Sequence, residues 1–520
     1  MEKILKRIVE VIAIISLLYI TILNICFNTA LSNDLQEHIS FSYNGILKCL
    51  LIMFIALITY LILTKINLKN KKIKYVLMGI IIILYLLTQL YFINYRNAYP
   101  AWDQQSVYEL ATSLYEGKKD ALKKNGYLSR YPLQTSLVYV EAFAMKLFKT
   151  SNPKLLQYIN AVCNCFTIIA VLMIIKELSK KAEVNETVGF VTLCLFSALP
   201  MLSTFIYGDI PGITFALFGI LFILKYGNTT KNRYLLISSF FTCIAYLVRT
   251  NTLIIIIADF LYLILILIRK ISENKKIEES KNKEKTINIV LENAIMLIIF
   301  AFIVFFPATM IKNISLKKYE IDENLAIPSS TWIYLGMTDG YRCAGWYNGN
   351  ASYAWKTDTK TADQYYKKNI VERLKEFKNN PKEFVKFYTR KNTSMWGENT
   401  YASFYYNGSF NIGKDEFKNE DKDKRIFERQ ELIEKVEKIV TTVIFAGSLM
   451  IIIIRFKKMT AEEVLFAIIF LGGFFFHNLW EAKSRYVIPY IICLIPLVSI
   501  KINVKGLLDK KNIEIKEREN

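Results

Sequence analysis

Histidine is almost missing from this chain of 520 residues, which contains only His38 and His477. The two lie in different predicted loops, so a histidine-based metal centre is not expected. No Walker-type loop and no dinucleotide-binding fingerprint occurs, which argues against a nucleotide-binding catalytic domain. The eight cysteines give no disulfide framework either, because only Cys343 lies in a long polar segment and the others fall in or beside apolar runs.

Apolar residues are abundant. They make up 53% of the chain, and the mean hydropathy is +0.27, which is too apolar for a soluble protein with such long unbroken runs. Twelve runs are long enough, or nearly so, to cross about 30 Å of hydrocarbon. They lie near residues 9–27, 46–64, 75–94, 155–176, 187–206, 211–225, 234–248, 252–268, 287–308, 438–454, 463–476 and 486–500. The sequence therefore predicts an all-α polytopic membrane protein with about twelve transmembrane helices.

Lysine and arginine mark every second loop between these runs. The basic loops contain Lys3, Lys6 and Arg7; Lys65 to Lys74; Lys176, Lys180 and Lys181; Lys225, Lys231 and Arg233; residues 269–285; Arg455, Lys457 and Lys458; and the tail 503–520. The intervening short loops 28–44, 207–210 and 249–251 are poor in positive charge. By the positive-inside rule both termini are expected in the cytoplasm. The net charge of +21 is then explained by basic cytoplasmic loops, which are attracted to anionic lipid. It therefore does not indicate a nucleic acid partner.

Residues 133–148 are apolar but contain Glu141 and Lys146. We interpret them as an amphipathic helix in the membrane interface, because counting them as a span would reverse the charge pattern. The composition, rich in Lys, Ile and Asn, suggests an AT-rich bacterial genome and hence a bacterial cell membrane.

Two long segments are expected on the outer side, and they set the predicted domain organisation. Helices are predicted at 104–115 in the first segment, and at 361–378 and from Pro381 in the second. The aromatic residues of the second segment suit either sugar stacking or anchoring at the membrane interface. The predicted units are a transmembrane module 1–308 with catalytic outer loops 95–154 and 207–210, a small, mainly helical extracytoplasmic domain 309–437, transmembrane helices 438–502, and a cytoplasmic tail 503–520.

Two carboxylates occupy outer turns. Asp103 follows a predicted span, and Asp209 lies in the turn Tyr207-Gly-Asp-Ile-Pro211. A carboxylate at the edge of the membrane is costly to desolvate and often marks function. Asp103 also suits a helix N-cap, and Asp209 suits ordinary turn chemistry. We expect the two side chains to share one water-exposed pocket beyond the outer leaflet.

Three arginines are the outer cation candidates, namely Arg130, Arg249 and Arg485. If the stretch 477–489 is helical, His477, Glu481 and Arg485 share a face because they repeat every four residues. The plainer alternatives are a Glu481–Arg485 ion pair and arginines that anchor at lipid headgroups. Asp259, within a predicted span, is expected to be buried and has no assigned role.

Four motifs together resemble the glycosyltransferase C superfamily, most closely the family 39 type, which includes protein O-mannosyltransferases and aminoarabinose transferases. They are Asp103 in the first large outer loop, Tyr131-Pro132 before an interfacial helix, the turn 207–211, and Glu481-x-x-x-Arg-Tyr-x-x-Pro489. The resemblance covers residues 75–225 best and 477–489 weakly. Gln104 departs from the family, since protein mannosyltransferases often carry Glu after the catalytic Asp, and this disfavours a protein acceptor.

The resemblance implies inverting transfer of a sugar from a polyprenyl-phosphate donor to an acceptor on the outer face. Asp103 would be the general base, and Asp209 would shape the same site. A positioned base contributes roughly 10²–10⁴-fold, and the phosphate leaving group needs cationic donors. Arg249, Arg485 and Arg130 are the predicted phosphate ligands. The predicted acceptor or supporting residues are Glu481, Tyr486, Tyr131 and Trp102.

Several alternatives stay open at this stage. A polysaccharide polymerase or ligase shares many spans and a large outer loop, and a lipid-linked glycan transporter or a non-catalytic scaffold is a further candidate. A transporter is disfavoured because the two halves show no internal repeat. A divalent metal held by Asp103 and other carboxylates is also left open, as are the sugar and the nature of the acceptor, which is a glycan, a lipid or a protein.

Overall fold

The computed structural model describes residues 2–33, 36–66, 70–118, 122, 126–277, 283–408 and 413–502. The predicted tail 503–520 lies outside these residues. The membrane portion begins with α1 (Glu2–Cys26), and the chain then forms β1 (Phe27–Leu31), β2 (Ile39–Tyr43), α2 (Ile46–Lys65), α3 (Lys71–Arg96), α4 (Trp102–Tyr115), α5 (Tyr127–Arg130), α6 (Thr135–Phe148), α7 (Lys154–Leu178), α8 (Glu186–Leu195), α9 (Ala198–Met201), α10 (Asp209–Thr229), α11 (Asn232–Val248), α12 (Leu253–Ile277) and α13 (Lys283–Lys318).

The second half contains the second of the two predicted outer segments, residues 309–437, and the last membrane helices. We call residues 309–437 the outer segment. The helices of the second half are α14 (Ser329–Gly336), α15 (Ser352–Lys356), α16 (Thr359–Asn379), α17 (Pro381–Trp396), α18 (Ser403–Asn407), α19 (Glu420–Phe427), α20 (Gln430–Ile454), α21 (Ala461–Leu479) and α22 (Ile488–Val498). The helices predicted at 361–378 and from Pro381 correspond to α16 and α17. Asn380 caps α17 by accepting a hydrogen bond from the N–H of Glu383, with Pro381 in the first turn.

Among the described residues, nine helices are long and apolar enough to cross a membrane. A tenth candidate is the pair α8 and 198–204, which is bent by 43°, whereas α11 and the stretch 484–498 are apolar but shorter. These elements lie where the sequence predicts spans, so the chain is an α-helical polytopic membrane protein. Helices α2, α3 and α13 bury only 22%, 17% and 11% of their apolar stretches inside the protein, as lipid-facing helices do.

One feature departs from the all-α prediction. The loop predicted at 28–44 contains an antiparallel hairpin, in which Phe27 pairs with Tyr43 and Leu31 with Ile39. The hairpin rests on the outer segment, because the N–H of Ile39 donates to the carbonyl of Arg342 at 3.0 Å. Packing against another part of the chain stabilises a two-stranded unit that is marginal alone, and this long-range contact leaves no local signal in the sequence.

The predicted interfacial helix is α6. It packs against α4, α11 and α13, which buries Glu141, while Phe143, Leu147 and Phe148 stay exposed. An apolar exposed face beside a packed face is the arrangement of an amphipathic helix at a membrane surface. Helix α6 therefore holds α4, and with it Asp103, against the membrane helices.

Candidate functional site

The turns that carry the two carboxylates are hydrogen-bonded to each other. The side-chain oxygen of Gln104 accepts a 3.0 Å hydrogen bond from the N–H of Ile206. Gln157, buried on α7, donates to a backbone carbonyl of the loop before α4 at 2.9 Å. Gln104 thus has a clear structural role, because it joins the start of α4 to the turn before α10. The start of α4 and the start of α10 are held side by side, which brings Asp103 and Asp209 to the same end of the helices.

Asp209 is the first residue of α10 and forms two ion pairs. Its carboxylate lies 3.2 Å from Arg249 and 2.9 Å from Arg485. The preceding Gly208 has φ +77°, and a Cβ there would lie 2.1 Å from the carbonyl oxygen of Val248. Only glycine fits both the backbone conformation and this close approach. The tight turn delivers Asp209 to the two arginines.

Arg485 lies among aromatic rings. Its Nε donates to the hydroxyl of Tyr406 at 3.0 Å, and its guanidinium lies 4.6 Å from the ring centroid of Phe205 and 5.0 Å from that of Tyr486. Burial strengthens these contacts, because the guanidinium is weakly hydrated and planar. A pocket opens beside the ion pairs and is lined by Asp209, Ile213, Arg249, Asn251, Thr252, Ile255, Arg485, Tyr486, Pro489 and Tyr490.

Asp103 differs from Asp209 in its partners. Within the described part of the chain it forms no hydrogen bond or ion pair, and it is not the N-cap of α4, a position held by Ala101. Asp103 is exposed and does not itself line the pocket beside the ion pairs, yet the surrounding protein displaces enough water to raise the pKa of its carboxyl. Lys483, Arg485 and Arg249 oppose that rise. Asp103 therefore shares the cations of Asp209 without being paired to them.

The backbone at Trp102 is unusual. This residue has φ +57°, a left-handed conformation that costs a bulky residue on the order of 1–3 kcal/mol. Its indole is 59% exposed, and the conformation directs the chain into α4 immediately before Asp103. Strain of this kind is often found at functional sites, and here it fixes the position of the carboxylate.

The stretch 477–489 is not one helix, so the condition for His477, Glu481 and Arg485 to share a face is not met. Helix α21 ends at Leu479, residues 480–483 are extended, and only a short 3₁₀ turn at Ser484–Val487 precedes α22. Tertiary contacts override the helical spacing, since the N–H of Ala482 donates to Gly345 at 2.7 Å and the buried Lys391 donates to the carbonyl of Trp480 at 2.8 Å. His477, Glu481 and Arg485 therefore do not share a helix face.

Glu481 is buried, and its predicted pairing with Arg485 is not formed. Desolvation raises the pKa of Glu481 to about 7, while Lys483 opposes the rise. Lys483 instead pairs with Glu37, whose carboxylate is 2.5 Å away and also binds Arg342 at 3.1 Å. The sequence analysis missed Glu37 and Lys483. Lys483 could have been identified from the sequence because it lies inside the motif 481–489. Glu37 could not, because only the hairpin brings it to the site.

Arg130, predicted as a phosphate ligand, is engaged elsewhere. Its guanidinium donates to four backbone carbonyls, those of Leu325, Ala354, Trp355 and Thr357, at 2.7–3.2 Å. These bonds join α5 to the outer segment, so Arg130 is part of the scaffold. Of the predicted supporting residues, Tyr486 lines the pocket, and Tyr131 and Trp102 flank Asp103.

Two further polar residues lie deeper. Asp259 on α12 is fully buried, and neither of its oxygens has a hydrogen-bond partner among the described residues. His477 is likewise buried, with its ring stacked on that of Tyr486 at 5.7 Å. Across the described ranges, no group of three or more His, Cys, Asp or Glu side chains is placed to hold a metal ion.

No curated protein and no solved structure matches this chain. The profile of one family, described as "conserved hypothetical integral membrane protein", matches residues 1–505 and so covers both outer turns, the hairpin and the terminal motif. The chain belongs to this family of integral membrane proteins.

Proposed function

We propose that this protein transfers a sugar from a polyprenyl-phosphate donor to an acceptor, with Asp103 as the general base and inversion at the anomeric carbon. One observation carries the proposal. Among the described residues Asp103 has no hydrogen-bond or ion-pair partner, although Arg249, Arg485 and Lys483 are close enough to lower its pKa. A carboxylate without a partner beside fixed cations is free to accept a proton from an incoming hydroxyl.

The arginines suit the leaving group. Arg249 and Arg485 converge on Asp209 from the loop after α11 and from the turn before α22, and both line the pocket. Asp209 would hold the two guanidiniums in place, and their remaining N–H groups would meet the phosphate oxygens as the bond to the sugar breaks. The acceptor proton passes to Asp103, and the electron pair of the broken bond leaves with the lipid phosphate. No general acid is required, because a phosphate leaves readily.

The proposed reaction takes place on the outer face of a bacterial cell membrane. This location supposes twelve spans and cytoplasmic termini, as the alternating charges of the loops suggest. The wide lipid-facing surfaces of α2, α3 and α13 suit a donor that arrives within the bilayer. The outer segment then covers the site, and the acceptor is a glycan, a lipid or a protein.

The test compares cell-envelope glycans by mass spectrometry in the source organism with the gene intact, with the gene deleted, and with the deletion complemented by variants. We expect Asp103→Asn to reproduce the glycan change of the deletion, while its amount in the membrane fraction matches the wild type. Glu109→Gln is the matched control, because Glu109 is an exposed carboxylate on the same helix. If Asp103→Asn transfers glycan as the wild type does, the proposed mechanism is refuted.

A further inference from the structure

Five aromatic residues form a wall beside Asp103, and we call Tyr127, Tyr131, Trp332, Tyr347 and Trp355 the aromatic wall. Tyr131 is its centre, with ring centroids 4.8 Å from Tyr127, 6.2 Å from Trp332 and 5.7 Å from Trp355. Trp355 is 39% exposed, and Tyr131, Trp332 and Tyr347 are half-buried. The wall therefore leaves part of its ring surface open to solvent while its rings support one another.

The wall is fixed before any ligand arrives. Arg130 donates to the carbonyl of Trp355 at 2.7 Å, and its guanidinium lies 5.9 Å from the Trp355 ring centroid. The carbonyl of Arg130 in turn accepts from the N–H of Ile327 at 3.1 Å. Preorganised rings lose little conformational entropy on binding, so such a surface suits ligand contact. The four carbonyls bound by Arg130 are at the same time withdrawn from any incoming peptide.

Polar groups adjoin the rings. Burial raises the pKa of the Tyr131 and Tyr347 hydroxyls, and the negative charges of Asp103 and Glu481 act on both in the same direction. The wall thus borders the proposed base and offers the Tyr131 and Tyr347 hydroxyls near it. A ligand on these rings needs an apolar face for stacking and several hydroxyls at its edge for hydrogen bonds.

We propose that the aromatic wall binds a pyranose ring of a glycan acceptor and holds one of its hydroxyls toward Asp103. This inference rests on the proposed function and names its acceptor class. A pyranose has the required pattern, since its C–H groups form an apolar face and its hydroxyls lie around the rim. A peptide acceptor would pair through backbone N–H and C=O groups, which the ring faces do not offer. A membrane anchor would have no use for Asp103 and Glu481 beside the rings.

The test measures binding separately from transfer. Purified full-length protein in nanodiscs, labelled with a fluorophore, is applied to an array of bacterial cell-envelope oligosaccharides that also contains Ser/Thr-rich peptides. We expect the wild type to bind a subset of the glycans and no peptide. Trp355→Ala should weaken glycan binding at least tenfold, and Trp355→Phe should retain part of it. Tyr341→Ala is the control, because Tyr341 is an exposed aromatic of the same outer segment, at 57%, outside the wall.

Three results would overturn the inference: no glycan on the array binds, peptides bind in place of glycans, or Trp355→Ala binds glycans as tightly as the wild type. A folding defect is recognised separately, because Trp355→Ala must elute as the wild type, Trp355→Phe and Tyr341→Ala do in size-exclusion chromatography. The two proposals also fail differently. If Asp103→Asn is active and glycan binding depends on Trp355, Asp103 is not the catalytic base but the aromatic wall still binds glycans. If Asp103→Asn is inactive and glycan binding does not depend on Trp355, the catalytic base is kept and the inference about the wall is refuted.

Discussion

The substitution Glu481→Gln should change how the stability of the protein depends on pH. Glu481 is 8% exposed, and its carboxyl titrates near 7 in the folded chain, against an ordinary value of 4.5. The proton is therefore held more tightly in the folded state than in the unfolded state, by about 3 kcal/mol. This stabilisation is fully present below pH 4.5 and is lost as the pH rises through 7.

Glutamine keeps the shape of the neutral carboxyl but does not ionise. The free energy of unfolding of Glu481→Gln minus that of the wild type should therefore increase between pH 5 and pH 8.5, by about 3 kcal/mol at most. The assay is thermal unfolding in detergent at a series of pH values, followed with a thiol-reactive fluorophore, because most of the cysteines are buried and become reactive on unfolding. The control is Glu372→Gln, an exposed glutamate on α16, which should show no such trend.

The outcome has a clear sign. A melting-temperature difference between Glu481→Gln and the wild type that stays constant from pH 5 to 8.5 would refute the reasoning, because it would mean that Glu481 ionises alike in both states. A difference, variant minus wild type, that becomes more positive as the pH falls would reverse the sign and point to a stabilising ion pair of Glu481, which the described residues do not form.

Three other predictions use the same site. Arg485→Ala should lower stability by about 1.5–3 kcal/mol, since it removes a charged hydrogen bond and leaves Asp209 with Arg249 alone. Arg485→Lys should abolish transfer with a smaller loss of stability. Chemical unfolding and glycan analysis measure the two effects. Gly208→Ala should reduce folded protein in the membrane fraction, because its Cβ would meet the Val248 carbonyl at 2.1 Å; normal yield would contradict this. Transfer should decline on acidification at a pH above the ordinary Asp value of 3.8, since desolvation by the surrounding protein raises the pKa of Asp103; a pH–rate profile in membranes checks this.

The main elements of the site could be read from the sequence because they depend on local signals. Asp103 and Asp209 each follow an apolar run, and the alternating loop charges predict that both turns lie on the same side of the membrane. Arg249 and Arg485 were found for the same reason, and they meet at Asp209. That meeting needs only a common side of the membrane and converging helix ends.

The missed features depend on contacts between distant parts of the chain. The extended stretch 480–483 contains no Pro or Gly, and it is straightened by a hydrogen bond to Gly345 and by the buried Lys391. Glu37 lies in a loop whose sequence resembles any short connection, and its partner Lys483 is more than 400 residues away. Arg130 carries the charge of a phosphate ligand, but the carbonyls that occupy it come from the outer segment.

The charges of the site bear on how the proposed reaction proceeds. Four cations meet two paired carboxylates, namely Arg249 and Arg485 at Asp209, and Lys483 and Arg342 at Glu37. Two positive charges therefore stay uncompensated until Asp103 ionises and a donor phosphodiester with one negative charge binds, provided that Glu481 keeps its proton. During transfer the acceptor proton moves to Asp103 while the phosphate gains a second negative charge, so the site is neutral before and after the step. Charge moves only within the site, where fixed cations stabilise it most effectively.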